Sequence, residues 1–298
     1  MYPSYLNLSK KELKRRIEKA LSFLNPCRVC PRKCHVNRLK NERGFCRLGR
    51  MAKVSSFHPH FGEEKCLVGK FGSGTIFFTS CNLACVFCQN YEISQLDYGE
   101  EVSKENLAQM MISLQKIGCH NINLVTPTPQ VPQILEALEI AIEKGLKIPL
   151  VYNSNGYDSV ETLKILDGIV DIYMPDFKYS DDEIALKYSL VKNYFEIAKM
   201  AIKEMHRQVK DLIINEGLAI KGLLVRHLVL PNKLAGSEKI FKFLAEEISK
   251  DTFLNIMDQY QPYYKAFDYP EISRRITHQE YQEAINLAKK YKLHRFAN

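Results

Sequence analysis

Apolar residues recur along this chain at two alternating periods. Leu13, Ile17, Leu21 and Leu24 follow at helical spacing behind Ser9-Lys10-Lys11-Glu12, a Ser-x-x-Glu capping box, so the chain is expected to open with an amphipathic helix ending near Asn25-Pro26. A cysteine-rich stretch to about Arg50 has few apolar or β-branched runs and predicts a loop that needs a metal to hold its shape. From Thr75 the pattern is regular. Short β-type runs at residues 75–79, 121–125, 148–152, 169–174, 223–230 and 253–257 alternate with helical segments at 103–117, 131–144, 159–166, 181–206 (one or two helices), 237–249 and 279–291. Gly118, Gly145 and Gly168 punctuate the helix ends.

Six strand-then-helix units imply an α/β fold: a parallel sheet with right-handed crossovers, curled into a partial (β/α)6 TIM-like barrel. Residues 1–70 would form an N-terminal helix with a Cys-rich accessory segment, and residues 71–298 the core. Such barrels carry their chemistry on the loops after the strands. Those positions hold Cys81, Cys85 and Cys88, then Thr126 and Thr128, then Asn153, Ser154 and Asn155, then Asp176 and Lys178, then Arg226 and His227, and last Asp258 and Gln259. Polar groups from six separate segments therefore converge on one face.

Nine cysteines, eight of them between Cys27 and Cys88, suit metals better than a disulfide framework. Cys81-x3-Cys85-x2-Cys88 supplies three thiolates on a tight loop, which leaves one iron of a cubane [4Fe-4S] cluster open to a small molecule. A zinc knuckle with some fourth ligand is the alternative at that spacing. Cys119, beside His120 at a helix-to-strand turn, is expected at the opposite barrel end.

Gly72-Ser-Gly-Thr-Ile-Phe-Phe followed by Cys81-Asn-Leu-Ala-Cys85-Val-Phe-Cys88 resembles the radical S-adenosylmethionine (SAM) superfamily. Leu124 to Thr128, Val151-Tyr152-Asn153, Asp171 to Lys178 and Arg226 to Pro231 look like its branch related to the pyruvate formate-lyase activating enzyme. The resemblance implies a cluster on Cys81, Cys85 and Cys88 at the barrel mouth, with SAM on its open iron. It implies cleavage to methionine and a 5'-deoxyadenosyl radical that takes hydrogen from a protein or peptide, an activating-enzyme-like oxidoreductase. Asn153, Ser154 and Asn155 match the polar segment where activases hold SAM, Asp176-x-Lys178 matches an element beside the SAM carboxylate, and Arg226 offers a fork for a carboxylate. His227 alternates to the other side of its strand and reads as buried. Phe77, Phe78, Val86 and Phe87 would make the dry wall around the cluster. One departure is plain: Thr126-Pro127-Thr128-Pro129 stands where activases carry a Gly-Gly-Glu-Pro type motif for the SAM amino group, leaving that task to backbone carbonyls and two hydroxyls. The family also implies a low-potential electron donor such as flavodoxin or ferredoxin.

Cys27-x2-Cys30-x3-Cys34-x11-Cys46 supplies four further thiolates, which reads as structural zinc or a second, fully ligated iron-sulfur cluster. His35, His58 and His60 are near in sequence and read as ordinary solvated histidines, and Cys66 as a small buried residue. The net charge of +8 belongs to the first fifty residues, which carry fourteen Lys or Arg against three Glu. That patch raises an RNA-modifying alternative, but without interleaved aromatics to stack bases nucleic acid is not the expected partner. A non-catalytic zinc-binding adaptor is the alternative from another class. No apolar run reaches about 18 residues and Met1 to Lys10 has no signal-peptide pattern, so a cytoplasmic protein off the membrane is expected.

Overall fold

Ser9 caps the first helix, its hydroxyl accepting the Glu12 N–H at 3.2 Å. The expected capping box is only half made, because the Glu12 carboxylate turns outward to Arg15 and Arg16 instead of back to Ser9. A complete box forms at Thr277 and Glu280, at the head of the last helix. This computed structural model describes residues 2–297. Its strands are β1 (Ala52–His60), β2 (Ser73–Phe78), β3 (Glu100–Val102), β4 (Ile122–Val125), β5 (Leu150–Ser154), β6 (Ile172–Pro175), β7 (Ile213–Asn215), β8 (Leu218–Leu228), β9 (Phe253–Met257) and β10 (Arg295–Phe296). The helices are α1 (Lys10–Ser22), α2 (Lys65–Val68), α3 (Tyr91–Ser94), α4 (Lys104–Ile117), α5 (Val131–Glu143), α6 (Val160–Ile165), α7 (Asp182–Ser189), α8 (Tyr194–Val209), α9 (Ser237–Phe243) and α10 (His278–Lys290).

The sheet order is β10-β9-β8-β6-β5-β4-β2-β1-β3, with β7 on β8. From β2 to β10 the neighbours on this path are parallel, as the alternation of strands and helices requires. The sheet as a whole is mixed, which corrects the expectation of a parallel one: β1 runs antiparallel to β2, β3 to β1 and β7 to β8. These strands hide in the sequence for a physical reason. A bulge between Val54 and Ser56 breaks the period of two in β1, which buries only Ala52 and Val54, and β7 is exposed throughout. The turn at Glu216 and Gly217, both at positive φ, starts β8 at Leu218, five residues before the expected 223. The predicted helix 181–206 is two helices, broken where Leu190 and Asn193 take left-handed φ.

Strand alternation sorts the side chains into two cores. Ile76, Phe78, Ile122, Leu124, Leu150, Tyr152, Leu223 and Val225 point outward into the layer shared with the helices. Val151, Ile172, Met174 and Leu224 point inward, where they meet Cys66 and Leu67 of α2, which stops the barrel at the end opposite the cysteine loop. Cys119, just before β4, lies at that same end, its thiol directed to the Phe71 carbonyl. The N-terminal helix joins the outer core through Leu13, Ile17 and Ala20, and Arg16 ties it to the Ile165 and Asp167 carbonyls. Among the described residues no helix is long and apolar enough to cross a membrane.

Candidate active site

The loop after β2 is built around its sulfurs. Cys81 Sγ accepts the Leu83 N–H at 3.3 Å and an Asn155 amide N–H at 3.2 Å. Cys85 Sγ accepts the Ser189 hydroxyl at 3.0 Å, and Cys88 Sγ lies 3.2 Å from Ser94 Oγ. Each sulfur thus meets a polar hydrogen or hydroxyl, and those of Cys81 and Cys85 come partly from elements distant in sequence. Burial pushes the Cys81 thiol up to about 12 and that of Cys88 up to about 11, with Cys85 adding to both. Such sulfurs become thiolates only beside a strong positive charge, which a bound metal supplies. Val86 and Phe87 of the loop are buried, and Phe87 packs edge-on against Tyr179 and Tyr260, whereas Phe78 is buried on the outward, helix-facing side of β2. Phe77 faces the other way and stacks with His58.

Beside the thiols lies a half-buried array of charges. Asp176, following β6, accepts Lys178 Nζ on Oδ2 at 2.7 Å and Arg226 Nε on Oδ1 at 2.8 Å. Arg226 also donates to Asn153 Oδ1 at 2.7 Å and approaches Glu63 at 3.4 Å. Burial alone would raise the Asp176 carboxyl, but the Arg226 and Lys178 cations outweigh it and hold it below the usual carboxylate range. Burial would likewise strip Lys178 of its proton; Asp176 and then Cys85 reverse that and keep it an ammonium.

The polar loop after β5 divides its tasks. Asn155 reaches Cys81, and its amide also donates to Asn82 Oδ1 at 2.7 Å. Ser154 turns outward instead, to the same side as Tyr152, and with Thr128 and Tyr152 donates three hydroxyl hydrogen bonds to Asp158 at 2.6, 2.7 and 2.9 Å. Burial raises the Asp158 carboxyl, and those hydroxyls oppose the shift. Thr126 stands at the strand end with φ +61 and its N–H on the Asn153 carbonyl. The structure thus brings the loops after β2, β5, β6 and the end of β8 together, along with Asp158, Ser94, Ser189, Glu63 and Tyr194, which the sequence does not single out. Tyr194 is fully buried and clamps the β5 and β6 loops, donating to the Asn155 and Asp176 carbonyls and accepting the Lys178 N–H. A signal existed for Asp158, four residues after Ser154; none existed for Ser189, which lies 104 positions from Cys85. His227 is buried as expected, with Nδ1 2.7 Å from the Phe177 carbonyl and Nε2 2.8 Å from Ser237 Oγ.

Cys27, Cys30, Cys34 and Cys46 line one small cavity together with Arg32, Arg38 and Asn82. Gly44 is required there, since a Cβ would sit 2.8 Å from Cys34 Sγ. Arg38 is 1% exposed; two of its nitrogens donate to the Gly49 and Pro129 carbonyls, while Nη2 has no partner among the described residues. Arg32 stacks on Phe45 and donates to the Asn82 carbonyl at 2.7 Å, joining this cavity to the cysteine loop. Among the described residues no group of three or more Cys, His, Asp or Glu is already gathered to hold a single metal ion, so the segment is a folded, thiol-lined loop rather than a formed tetrahedral site.

The chain is 39% identical over 287 residues, 93% of its length, to an uncharacterized protein of Methanocaldococcus jannaschii, of which the alignment spans 78%. A second uncharacterized protein of that organism is 26% identical over 82% of this chain and 73% of its own. Among solved structures, Streptococcus suis SuiB bound to precursor peptide SuiA is 13% identical over 73% of this chain and 46% of its own, at a TM-score of 0.49, too low to bear on activity. Residues 75–229, which hold all three loop cysteines, the Asp176–Lys178 pair and Arg226, match the model of the radical SAM superfamily, and the chain belongs to that superfamily.

Proposed function

We propose that this protein binds a [4Fe-4S] cluster through Cys81, Cys85 and Cys88, cleaves SAM reductively, and uses the resulting radical to take hydrogen from a protein or peptide. The observation that carries the reading is the cysteine loop itself: the buried sulfur of Cys85 and the half-buried sulfurs of Cys81 and Cys88, each in contact with a polar partner, beside a half-buried carboxylate held between two cations. The donor set fits the group, since soft sulfurs in a dry, hydrogen-bonded pocket are what a cluster with one open iron requires. When bound and reduced, the cluster supplies the electron that breaks the C5'–S bond of SAM.

The chain's own residues hold and screen the reactants. Lys178 and Arg226 offer positive charge for the SAM carboxylate, with Asp176 fixing both side chains. Asn153 is held by Arg226, and Thr126 presents backbone and hydroxyl at the strand end. Ser154 and Thr128, whose hydroxyls are bound to Asp158, contribute shape and backbone groups to the SAM wall. Asn155 acts through Cys81. Val86 and Phe87 exclude water. The four N-terminal thiols are proposed to hold zinc or a second cluster; such centres are anionic, and the unpaired Nη2 of Arg38 beside them matches that charge. All nine cysteines are unpaired, in keeping with a reducing cytoplasm, where a flavodoxin or ferredoxin would deliver the electron.

The test is anaerobic reconstitution with iron and sulfide, then incubation with SAM and dithionite. 5'-Deoxyadenosine is the expected product; its absence from protein that carries about four irons per chain on the loop would reject the reading. Metal analysis of the Cys81, Cys85 and Cys88 triple alanine variant tests the second centre, which predicts residual zinc or iron.

A further inference from the structure

Below the proposed SAM site the barrel interior is polar on one side, and its hydrogen bonding is incomplete. Asn123 of β4, Asn153 of β5, Arg226 of β8 and Asn255 of β9 point inward, and Glu63 and Glu64, just ahead of α2, rise to meet them. Glu63 accepts Asn123 Nδ2 at 3.0 Å and faces Arg226. Glu64, 8% exposed, accepts Asn255 Nδ2 on Oε1 at 2.8 Å, but its Oε2 is buried with no partner among the described residues. Asn123 Oδ1, on the side chain that serves Glu63, is likewise unpartnered. A buried carboxylate oxygen without a donor is costly, and charge points the same way. Glu63 and Asp176 pair with Arg226, and Asp176 also with Lys178, whereas Glu64 makes no ion pair among the described residues; Lys65, the other cation lining the cleft, is exposed.

Glu63, Glu64, Arg226 and Asn255 line a cleft of about 440 Å³ that also takes in Met257 and Gln259 at the upper end of β9. It is large enough for a side chain together with part of its backbone. The unpaired atoms are acceptors, so the missing partner is a donor, and Glu64, which carries one of them, has no cation of its own among the described residues, so the donor is a cation. We infer that this cleft is the substrate chamber and that it selects a peptide segment by a basic side chain, whose ammonium or guanidinium seats on Glu64 Oε2. This identification of the substrate class rests on the proposed SAM reaction, because it takes the barrel interior as the place where hydrogen is removed.

Binding can be read without that reaction. The full-length protein, purified anaerobically, is titrated with Nα-acetyl-lysine amide and with its uncharged analogue Nα-acetyl-norleucine amide, without SAM or reductant, by saturation-transfer NMR. The lysine probe is expected to bind at least about tenfold more tightly, and E64Q to remove that preference, since one charge-assisted hydrogen bond of about 1.4 kcal/mol or more corresponds to tenfold. Equal affinities for the two probes on the unaltered protein overturn the inference, and that comparison stands even if E64Q fails to fold; so does a preference that E64Q leaves intact. Loss of 5'-deoxyadenosine formation with probe selectivity intact would reject the reaction and not the chamber, and the converse result would reject the chamber alone.

Discussion

Arg226 and Asp176, fifty positions apart, meet twice: as a bridge between parallel backbones and through Nε to Oδ1 at 2.8 Å. The pair is half-buried, and Arg226 is also the tether of Asn153. Arg226→Met leaves the carboxylate with Lys178 alone and is expected to destabilise the fold by about 2–3 kcal/mol, somewhat less than breaking a fully buried ion pair, read by urea denaturation. Because the Asp176 carboxyl is held below its unfolded value, its contribution is present above about pH 3.9 and lost as pH falls further, through the folded-state value. The deficit of the variant should therefore shrink in acid; a deficit that grows there would contradict the ion pair.

Ser189 donates to Cys85 Sγ, and Asn155 to Cys81 Sγ. Hydrogen bonds to cluster sulfurs stabilise the more negative, reduced state. Ser189→Ala and Asn155→Ala should each move the midpoint potential of the reconstituted cluster to more negative values, measured by redox titration with EPR detection, while retaining iron. An unchanged potential in both would show that these donors serve only the fold.

Which parts of this architecture were legible in the sequence follows from how local their causes are. The strand over 253–257 coincides with β9, and α4 ends at Gly118, because alternation, caps and left-handed glycine act within a few residues. The cysteine loop was readable for the same reason, its three sulfurs lying within eight positions. β1 was not, since its bulge erases the period and its pairing to β2 is decided by the barrel as a whole. The partners of the sulfurs were equally hidden. Ser189 ends an ordinary helix, and only packing brings it to Cys85. The sequence marks Asn155 as polar and at a strand end, and nothing in its own neighbourhood reveals that its amide reaches Cys81.

His227 is the neighbour of Arg226 and points the other way, into the helix layer. Nδ1–H donates to the Phe177 carbonyl and Nε2 faces the Ser237 hydroxyl, so the neutral ring is satisfied at both ends. Burial lowers it to about 4. A folded value below the unfolded 6.5 gives stability that is full above pH 6.5 and lost as pH falls toward 4, about 3 kcal/mol in all. His227→Gln should be less stable at pH 7.5 and should lack that extra slope between pH 6.5 and 4, when its urea midpoints are compared with those of the unaltered protein. Parallel profiles would mean that the ring titrates freely in the fold.

Gly156 is where the proposed site is most sensitive to a single atom. It stands at φ +78, and a Cβ there would lie 2.2 Å from the Asp176 carbonyl oxygen, which also accepts the Tyr194 hydroxyl at 3.0 Å. Gly156→Ala must therefore push apart the loops that carry Asn155 and Asp176, and with them the hydrogen bond to Cys81 and the cradle of Lys178 and Arg226. Gly145 provides the control: its φ of +88 is as unfavourable for alanine, but nothing lies within 4 Å of its Cβ. Gly145→Ala should cost only the backbone strain, about 1 kcal/mol, whereas Gly156→Ala should cost more than about 2 kcal/mol. Thermal unfolding separates the two. The 5'-deoxyadenosine yield should fall by tenfold or more, roughly 1.4 kcal/mol in the barrier, in the second variant alone. Equal effects of the two substitutions would show that the close approach of the β5 and β6 loops does not position the reactants.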